Sequence, residues 1–194
     1  MSVNEASNAA TVRYRIDAGQ SRFAVQGSAD GLLSMFGHDP VIAIRGFGGE
    51  VRFVPGTLES GSLSVLVQAD SLAVVNKVSE KDRREMERAM REDVLETARF
   101  PEIVYRSTSV AARPSGVDRY EVRIVGHLSL HGVTREHAID AQLSLNESGI
   151  LRARGEFSLR QTDYRIKPFS AVGGTLKLKD ELRFSFDIAA EKQE

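Results

Sequence analysis

The chain has 194 residues, with 26 basic and 27 acidic side chains, a formal net charge of −1 and no cysteine. A balanced charge argues against binding to nucleic acid or to an anionic membrane surface, since both attract an excess of positive charge. The absence of cysteine excludes disulfides, thiol catalysis and cysteine-bound metals. The length suits one large β domain, because barrels and sandwiches of this size commonly form single domains.

The two ends of the chain are predicted to be tails that flank one domain. Residues 1–11 have neither a basic start nor an apolar run of signal-peptide length, so we expect a short disordered tail and a cytoplasmic protein. The single β-barrel domain is predicted to span 12–190, with a C-terminal tail over 191–194. No stretch has the length and apolar character that predict a transmembrane helix.

Alternating apolar and polar residues predict strands over most of the chain. The segments 12–17 and 21–28 flank the turn signal Ala18-Gly19-Gln20, which predicts an opening hairpin. A looser stretch over 29–40 contains two glycines and a proline and is expected to form a loop or a short helical turn. The GFGG sequence at 46–49 is interpreted as a bend between two strands. We predict about ten strands in all.

One segment in mid-chain has a helical pattern. Ser79 can cap a helix start, and Asp82 follows three residues later, where a carboxylate complements the positive end of the helix dipole. The Phe100-Pro101 step is expected to end the helical run and return the chain to a strand. Apolar residues at spacings of three and four predict one apolar stripe on this charged helix, formed by Met86, Ala89, Met90 and Val94.

The most regular alternation follows this helix. Residues 120–131 alternate between apolar and polar side chains, and residues 136–146 repeat the pattern after a predicted turn at 131–134. Such strands, joined by short polar turns, favour an antiparallel sheet with one buried face, in either a sandwich or a barrel. The helix favours an antiparallel β-barrel of about eight strands, because a charged helix with one apolar stripe is suited to covering an opening.

No catalytic site, metal site or cofactor is predicted. The four histidines are interpreted as surface or turn residues. If His127 and His131 share one strand, their Cα atoms lie about 13 Å apart, which is too far for one zinc ion. No nucleophile, base and orienting residue can be assembled from this sequence.

A polar segment over 160–169 follows one of the last predicted strands. Two interpretations are open: its charged side chains pair with one another at the rim of the barrel, or they form a cationic mouth whose Arg and Lys side chains hold an anionic or polar head group while the tail enters the barrel. The residues predicted to contact the head are Arg160 and Asp163. Two pairs of residues are candidates for a deformable apolar lid, namely Met35 and Phe36 in the early loop, and Met86 and Met90 on the helix.

Four stretches of the sequence form a recognisable series. They are YRID at 14–17, RFPEI at 99–103 followed by Ser107-Thr108, GHLSLHGVT at 126–134, and RQTDYRI at 160–166. Their order resembles that of the YceI-like family, whose members are lipocalin-like extended barrels that bind isoprenoid lipids. The resemblance extends from Tyr14 to about Ala190. It implies an apolar tunnel for a long, slender lipid, no catalytic residues and, by family tendency, a homodimer.

The functional hypothesis is therefore non-enzymatic binding, carriage or sequestration of a long apolar amphiphile, either an isoprenoid or a quinone-like lipid. Burial of one methylene is worth about 0.8 kcal/mol, so a few isoprene units reach the roughly 8 kcal/mol of micromolar binding. The alternative is an interaction module whose barrel is filled by its own side chains. The residues expected to contact the lipid, or to form a plain core in the alternative, are Phe23, Val25, Val122, Ile124, Leu128, Leu143, Phe157, Phe184 and Phe186.

Overall fold

Strands make up most of the described chain. The structure is a computed structural model that describes residues 10–30, 39–55, 57–146, 149–171 and 176–194. The early loop predicted over 29–40 therefore lies mostly outside the described residues. The strands within them are β1 Val12–Asp30, β2 Val41–Ile44, β3 Phe47–Val54, β4 Thr57–Gln68, β5 Leu72–Val74, β6 Glu102–Gly116, β7 Arg119–Leu130, β8 Val133–Leu145, β9 Ile150–Arg160, β10 Ser170–Ala171 and β11 Leu176–Lys192.

Eight strands close into an antiparallel barrel. Their order around the barrel is β1, β3, β4, β6, β7, β8, β9 and β11, and β11 pairs back onto β1. The short strands β2 and β5 extend the sheet beside the second half of β1, and β10 pairs with the start of β11. The predicted extended antiparallel barrel of about eight strands with one mid-chain helix is confirmed.

The hairpin of β7 and β8 shows how alternation builds the interior. Val122 and Leu128 are buried, whereas the intervening Arg123 and His127 are exposed. The two strands are in register from Arg119 opposite Ser144 to Leu130 opposite Val133. Because successive side chains of a strand point to opposite faces, this register gathers the apolar residues of both strands on the inside.

A two-residue turn at His131-Gly132 closes this hairpin. Both residues have positive φ angles, 51° at His131 and 72° at Gly132, as a type I′ turn requires. A Cβ atom at Gly132 would also lie 2.7 Å from the ring of Phe100. The predicted turn is confirmed, and β8 begins at Val133, ahead of the predicted start at residue 136.

The predicted opening hairpin is wrong, because residues 12–30 form one strand that pairs with β11 before and after the turn signal. A local turn does exist: the Asp17 carboxylate accepts hydrogen bonds from the backbone N–H groups of Gly19 (2.8 Å) and Gln20 (3.3 Å). The register moves from Asp17 opposite Ala189 to Arg22 opposite Asp187. The turn residues therefore form a bulge within the strand.

The predicted bend at 46–49 is also largely wrong. The chain bends at Gly46, but Gly48 and Gly49 belong to β3 and pair with β4. Glycine at position 49 permits close packing of the two strands, because a Cβ atom there would collide with the Ser64 carbonyl oxygen and approach the Cα atom of Val65 to 3.0 Å. The glycine at position 49 is therefore explained by the close approach of two strands and not by a turn.

The mid-chain helix begins at the predicted cap. Helix α1 spans Glu80–Ala89 and continues as a π-helical turn over Met90–Val94. The Ser79 hydroxyl accepts a hydrogen bond from the Asp82 N–H (3.1 Å) and donates one to the Asp82 carboxylate (2.6 Å). The helical run ends before the predicted Phe100-Pro101 step, since Glu96 adopts a positive φ of 46° that no helix continues through.

Replacement of the cap tests its contribution. We expect Ser79→Ala to lower the free energy of unfolding by about 1 kcal/mol, because the Asp82 N–H loses its acceptor. Urea denaturation followed by circular dichroism measures the change. Ser109→Ala, on the exposed face of β6, is the matched control and should behave as wild type. Equal midpoints for both variants would show that the cap contributes nothing.

Candidate functional site

The barrel encloses a cavity of about 710 Å³. Its described lining consists mainly of the inward-facing apolar residues of the barrel strands, from Ile16 in β1 to Ile188 in β11. Small-molecule sites usually have volumes of about 300–1,000 Å³ and are lined mainly by apolar side chains with a few polar groups. The cavity therefore has the size and the surface of a site for an apolar ligand.

Aromatic rings form part of the cavity wall. Phe157 stacks on Phe184 with the ring centroids 4.7 Å apart and the planes 3° from parallel. Phe23 lies edge-on to Phe47 at 5.7 Å and tilted against Phe184 at 6.3 Å. Rings in such contacts stabilise one another beyond their apolar burial. The cluster therefore gives the cavity a firm surface.

Helix α1 and its π-helical turn complete the lining near one end of the barrel. Met86, Met90 and Val94 lie in the cavity wall, and Ala89 is buried. The helix is fastened to β5 by the Glu87 carboxylate, which accepts a hydrogen bond from the backbone N–H of Val74 (3.0 Å). The apolar stripe predicted for this helix therefore faces the cavity.

Two polar side chains in the wall have their hydrogen bonds satisfied by backbone carbonyls. The Tyr105 hydroxyl lies 3.2 Å from the carbonyl oxygen of Ile124 and 3.1 Å from that of His137, and burial raises the pKa of Tyr105 to about 12. The Gln161 amide donates to the carbonyl of Lys179 (3.0 Å). Both side chains are thus held by the protein itself.

Two further polar side chains of the cavity lining, one toward each end of the barrel, are also paired. The Asn76 amide donates to the Asp39 carbonyl (3.0 Å) and its oxygen accepts from the Val41 N–H (2.6 Å). At the opposite end Arg52 forms an ion pair with Glu50. These groups fasten strands and loops, and their geometry does not assemble a nucleophile with a base within the described residues.

His137 is different from the other polar residues of the wall. Its Nε2 atom is buried and has no hydrogen-bond partner in the described part of the chain. The Phe157 ring packs edge-on against the imidazole, with the centroids 5.2 Å apart. Burial lowers the pKa of His137 from its usual value, so the neutral ring is favoured.

The barrel wall separates beside His137. Strand β8 pairs with β9 from Leu145 opposite Leu151 to Ala141 opposite Gly155, and among the described residues the pairing goes no further. A groove of about 400 Å³ lies on the outside of this separation. His137 borders both the groove and the inner cavity.

Most of the predicted ligand-contacting residues lie in the cavity wall. Their contact with a ligand stays a prediction, but the structure brings them together around one space. Met35 and Phe36 lie outside the described residues. The predicted residues that line the cavity are Phe23, Val25, Met86, Met90, Val122, Ile124, Leu128, Leu143, Phe157, Phe184 and Phe186.

Arg160 and Asp163, the predicted head-group contacts, lie elsewhere. They border the outer groove and are not part of the described cavity lining. The exposed Arg160 forms an ion pair with Asp180 at 3.5 Å, and the carbonyl of Asp163 accepts a hydrogen bond from Arg135 (2.6 Å). Contact of these two side chains with a ligand head stays a prediction, and it requires the head to leave the cavity.

Sequence reasoning missed the polar residues of the lining, which are Arg52, Ser62, Asn76, Lys77, Tyr105, His137 and Gln161. The interpretation of every histidine as a surface or turn residue holds for the exposed His127 and is wrong for His137. The signal was available: His137 lies two residues before Ile139 and therefore on the apolar face of its strand. The burial of Gln161, in a short 3₁₀ turn, had no such signal.

The described residues contain neither a cluster of potential metal ligands nor a helix that could span a membrane. Among the described residues, no three side chains of the histidine, cysteine, aspartate or glutamate type lie together as a potential metal site. No helix in the described ranges has the length and apolar character needed to cross a membrane.

Solved structures share this fold. Burkholderia cenocepacia BcnA has a TM-score of 0.67 at 14% identity, over 90% of this chain and 98% of that protein. A polyisoprenoid binding domain from Saccharophagus degradans has a TM-score of 0.67 at 13% identity, over 93% and 98% of the two chains. The Campylobacter jejuni YceI protein has a TM-score of 0.58 at 14% identity, over 79% and 85%. At such identities the likeness shows the fold.

The sequence itself carries the family signal. No curated protein sequence matches the chain. The family model of the YceI-like domain matches residues 14–190, which is nearly the whole chain and agrees with the series of motifs in the sequence. The barrel, its mid-chain helix and its cavity agree with this match, and the chain belongs to the YceI-like family.

Proposed function

We propose that this protein binds a long apolar amphiphile, an isoprenoid or quinone-like lipid, inside the barrel and carries or sequesters it without changing it chemically. The observation that supports the proposal is the apolar cavity of about 710 Å³ within a closed barrel. The similarity to a polyisoprenoid binding domain from Saccharophagus degradans supports the same class of ligand.

The energetics of an apolar tail are sufficient for useful affinity. Burial of a methylene contributes about 0.8 kcal/mol, and micromolar binding needs about 8 kcal/mol, so a tail of some ten buried methylenes reaches this range before ordering costs are subtracted. Isoprenoid chains of moderate length supply that amount of apolar tail. Affinity would then come mainly from the tail, and polar groups of the wall would select among heads.

The alternative, a barrel filled by its own side chains, is less well supported. The described side chains leave the cavity open, although Phe157, Phe184 and Phe23 supply the large rings that a filled barrel would use. These rings pack against one another along the wall.

Mass spectrometry of extracted lipid tests the proposal. The purified protein is extracted with organic solvent, and we expect about one amphiphile per chain with an apolar tail of isoprenoid or similar length. The delipidated protein should then bind geranylgeraniol, measured by displacement of a fluorescent polyene. Failure of the native protein to yield lipid and of the stripped protein to bind any long-chain probe would refute the proposal.

Location and assembly are separate proposals. We propose a cytoplasmic location and, by family tendency, a homodimer. Cell fractionation tests the first and sedimentation velocity tests the second. A monomer at micromolar concentration would contradict the dimer and leave the proposal of lipid binding intact.

A further inference from the structure

The half-buried imidazole of His137, whose Nε2 atom is buried without a hydrogen-bond partner among the described residues, is a feature of the cavity that protein contacts do not explain. Two side-chain atoms in the described chain are buried without a hydrogen-bond partner, Nε of Arg83 and Nε2 of His137, and only His137 lines the cavity. A buried polar group without a partner destabilises a protein, so such groups call for a functional explanation. A leucine or phenylalanine at this position would suit an entirely apolar tunnel better.

The local structure explains why no protein group reaches this atom. Strand β9 departs from β8 after the pair Ala141 and Gly155, so no residue of β9 faces His137 across a ladder. The Tyr105 hydroxyl, a polar group of the same wall, is directed at the backbone carbonyls of Ile124 and His137. The neighbouring ring, Phe157, is apolar.

We propose that His137 binds an uncharged hydrogen-bonding group of the lipid, a hydroxyl or a carbonyl, in the wall of the cavity and not at the rim. This inference rests on the proposed function and specifies the head group. A neutral imidazole can donate to a carbonyl and can donate to or accept from a hydroxyl, so it matches both. Since the Nε2 atom is covered in this structure and the Phe157 ring packs against the imidazole, this contact requires the imidazole or the Phe157 ring to rotate.

The surroundings of His137 favour an uncharged head over a phosphate or carboxylate. The outer groove contains two arginines, but Arg160 is paired with Asp180, and Arg135 donates to a backbone carbonyl. The same groove also contains the acidic residues Glu136, Asp163 and Glu181. The described groove lining therefore has three acidic and two basic side chains, so an anion in this part of the wall would lose its hydration without entering a region of net positive charge, which is costly.

A series of ligands with one tail tests the inference. Dissociation constants are measured by competition for geranylgeraniol, for the same chain without its hydroxyl, and for geranylgeranyl diphosphate. Each ligand is measured with wild type, His137→Phe and His137→Gln. His127→Phe is the matched control, because His127 lies on the neighbouring strand with its side chain on the exposed face.

We expect His137→Phe to weaken binding of the alcohol relative to the hydrocarbon by about 3- to 10-fold, the equivalent of one hydrogen bond. His137→Gln should restore part of the preference for the alcohol over the hydrocarbon, and His127→Phe should leave this preference as it is in wild type. The diphosphate should bind to wild type more weakly than the alcohol. In addition, the ¹⁵N resonances of His137 in wild type should shift with the alcohol and not with the hydrocarbon, a measurement that does not depend on any variant.

Different outcomes separate this inference from the proposed function. The role of His137 is refuted, and lipid binding stands, if wild type binds both the alcohol and the hydrocarbon but two further results are found. The first is a ratio of the two dissociation constants that is the same in His137→Phe as in wild type. The second is an equal response of the His137 resonances to both ligands. If the diphosphate binds most tightly, the preference for an uncharged head is refuted. If no chain binds to wild type, the proposed function itself fails.

Discussion

Gly49→Ala is expected to destabilise the protein by about 3 kcal/mol, at the upper end of the range for overpacked interiors. A Cβ atom at this position would collide with the Ser64 carbonyl oxygen of β4 and lie 3.1 Å from Cδ1 of Ile16. Backbone atoms of a paired strand cannot move aside without breaking the ladder. The two strands would have to separate, and the loss would include hydrogen bonds of the β3–β4 pair.

Gly48→Ala is the matched control for this substitution. Gly48 is the preceding residue in the same strand, and a Cβ atom there would meet nothing within 4 Å. We expect its free energy of unfolding to stay within about 0.5 kcal/mol of wild type. Urea denaturation of both variants measures the difference. Equal stabilities of the two variants would mean that β3 and β4 are not packed as closely as the structure shows.

Ala153→Phe is expected to reduce lipid affinity by about 100-fold. Ala153 lies in the cavity wall on β9, opposite Leu143 of β8, so a phenyl ring at this position would occupy space that a lipid tail needs. Displacement of three or four methylenes, at about 0.8 kcal/mol each, corresponds to this factor. The measurement is competition with geranylgeraniol, together with a thermal unfolding curve that reports whether the variant is folded.

Ala138→Phe serves as the control for cavity blocking. Ala138 is half-buried like Ala153, but it lies between His137 and Ile139, which both line the cavity, and therefore points to the other face of β8. This variant should bind geranylgeraniol as wild type does. A folded Ala153→Phe protein with unchanged affinity would place the lipid outside the barrel and contradict the proposed site.

Local patterns were sufficient where neighbouring residues decide the structure. The two-residue periodicity of β7 and β8, together with the short turn between them, predicted their pairing, since a slip of one residue would turn one apolar face to the opposite side. The Ser79 cap predicted the start of α1 because its partner, the Asp82 N–H, is three residues away. The family resemblance, carried by motifs from 14 to 166, predicted the barrel that the topology confirms.

Local patterns failed where the partner is far away in sequence. The turn at Ala18-Gly19-Gln20 has the signal of a hairpin, but β1 continues because β11 offers a partner on both sides of the bulge. The glycines at 48 and 49 have the composition of a bend, although β4 packs against them as a strand. The residues of a turn indicate its local backbone conformation, but they do not indicate which strands the flanking segments pair with.

The sequence by itself determined the succession of strands, the capped helix and the apolar character of the inward faces, because each depends on the periodicity of residues close together in the chain. The tertiary structure alone decided that these faces enclose open space, that β8 and β9 part beside His137, and that Arg160 and Asp163 lie outside the described cavity lining. Those features depend on the closure of the barrel through pairs such as Tyr14 and Lys192 and on the summed volume of side chains from eight strands.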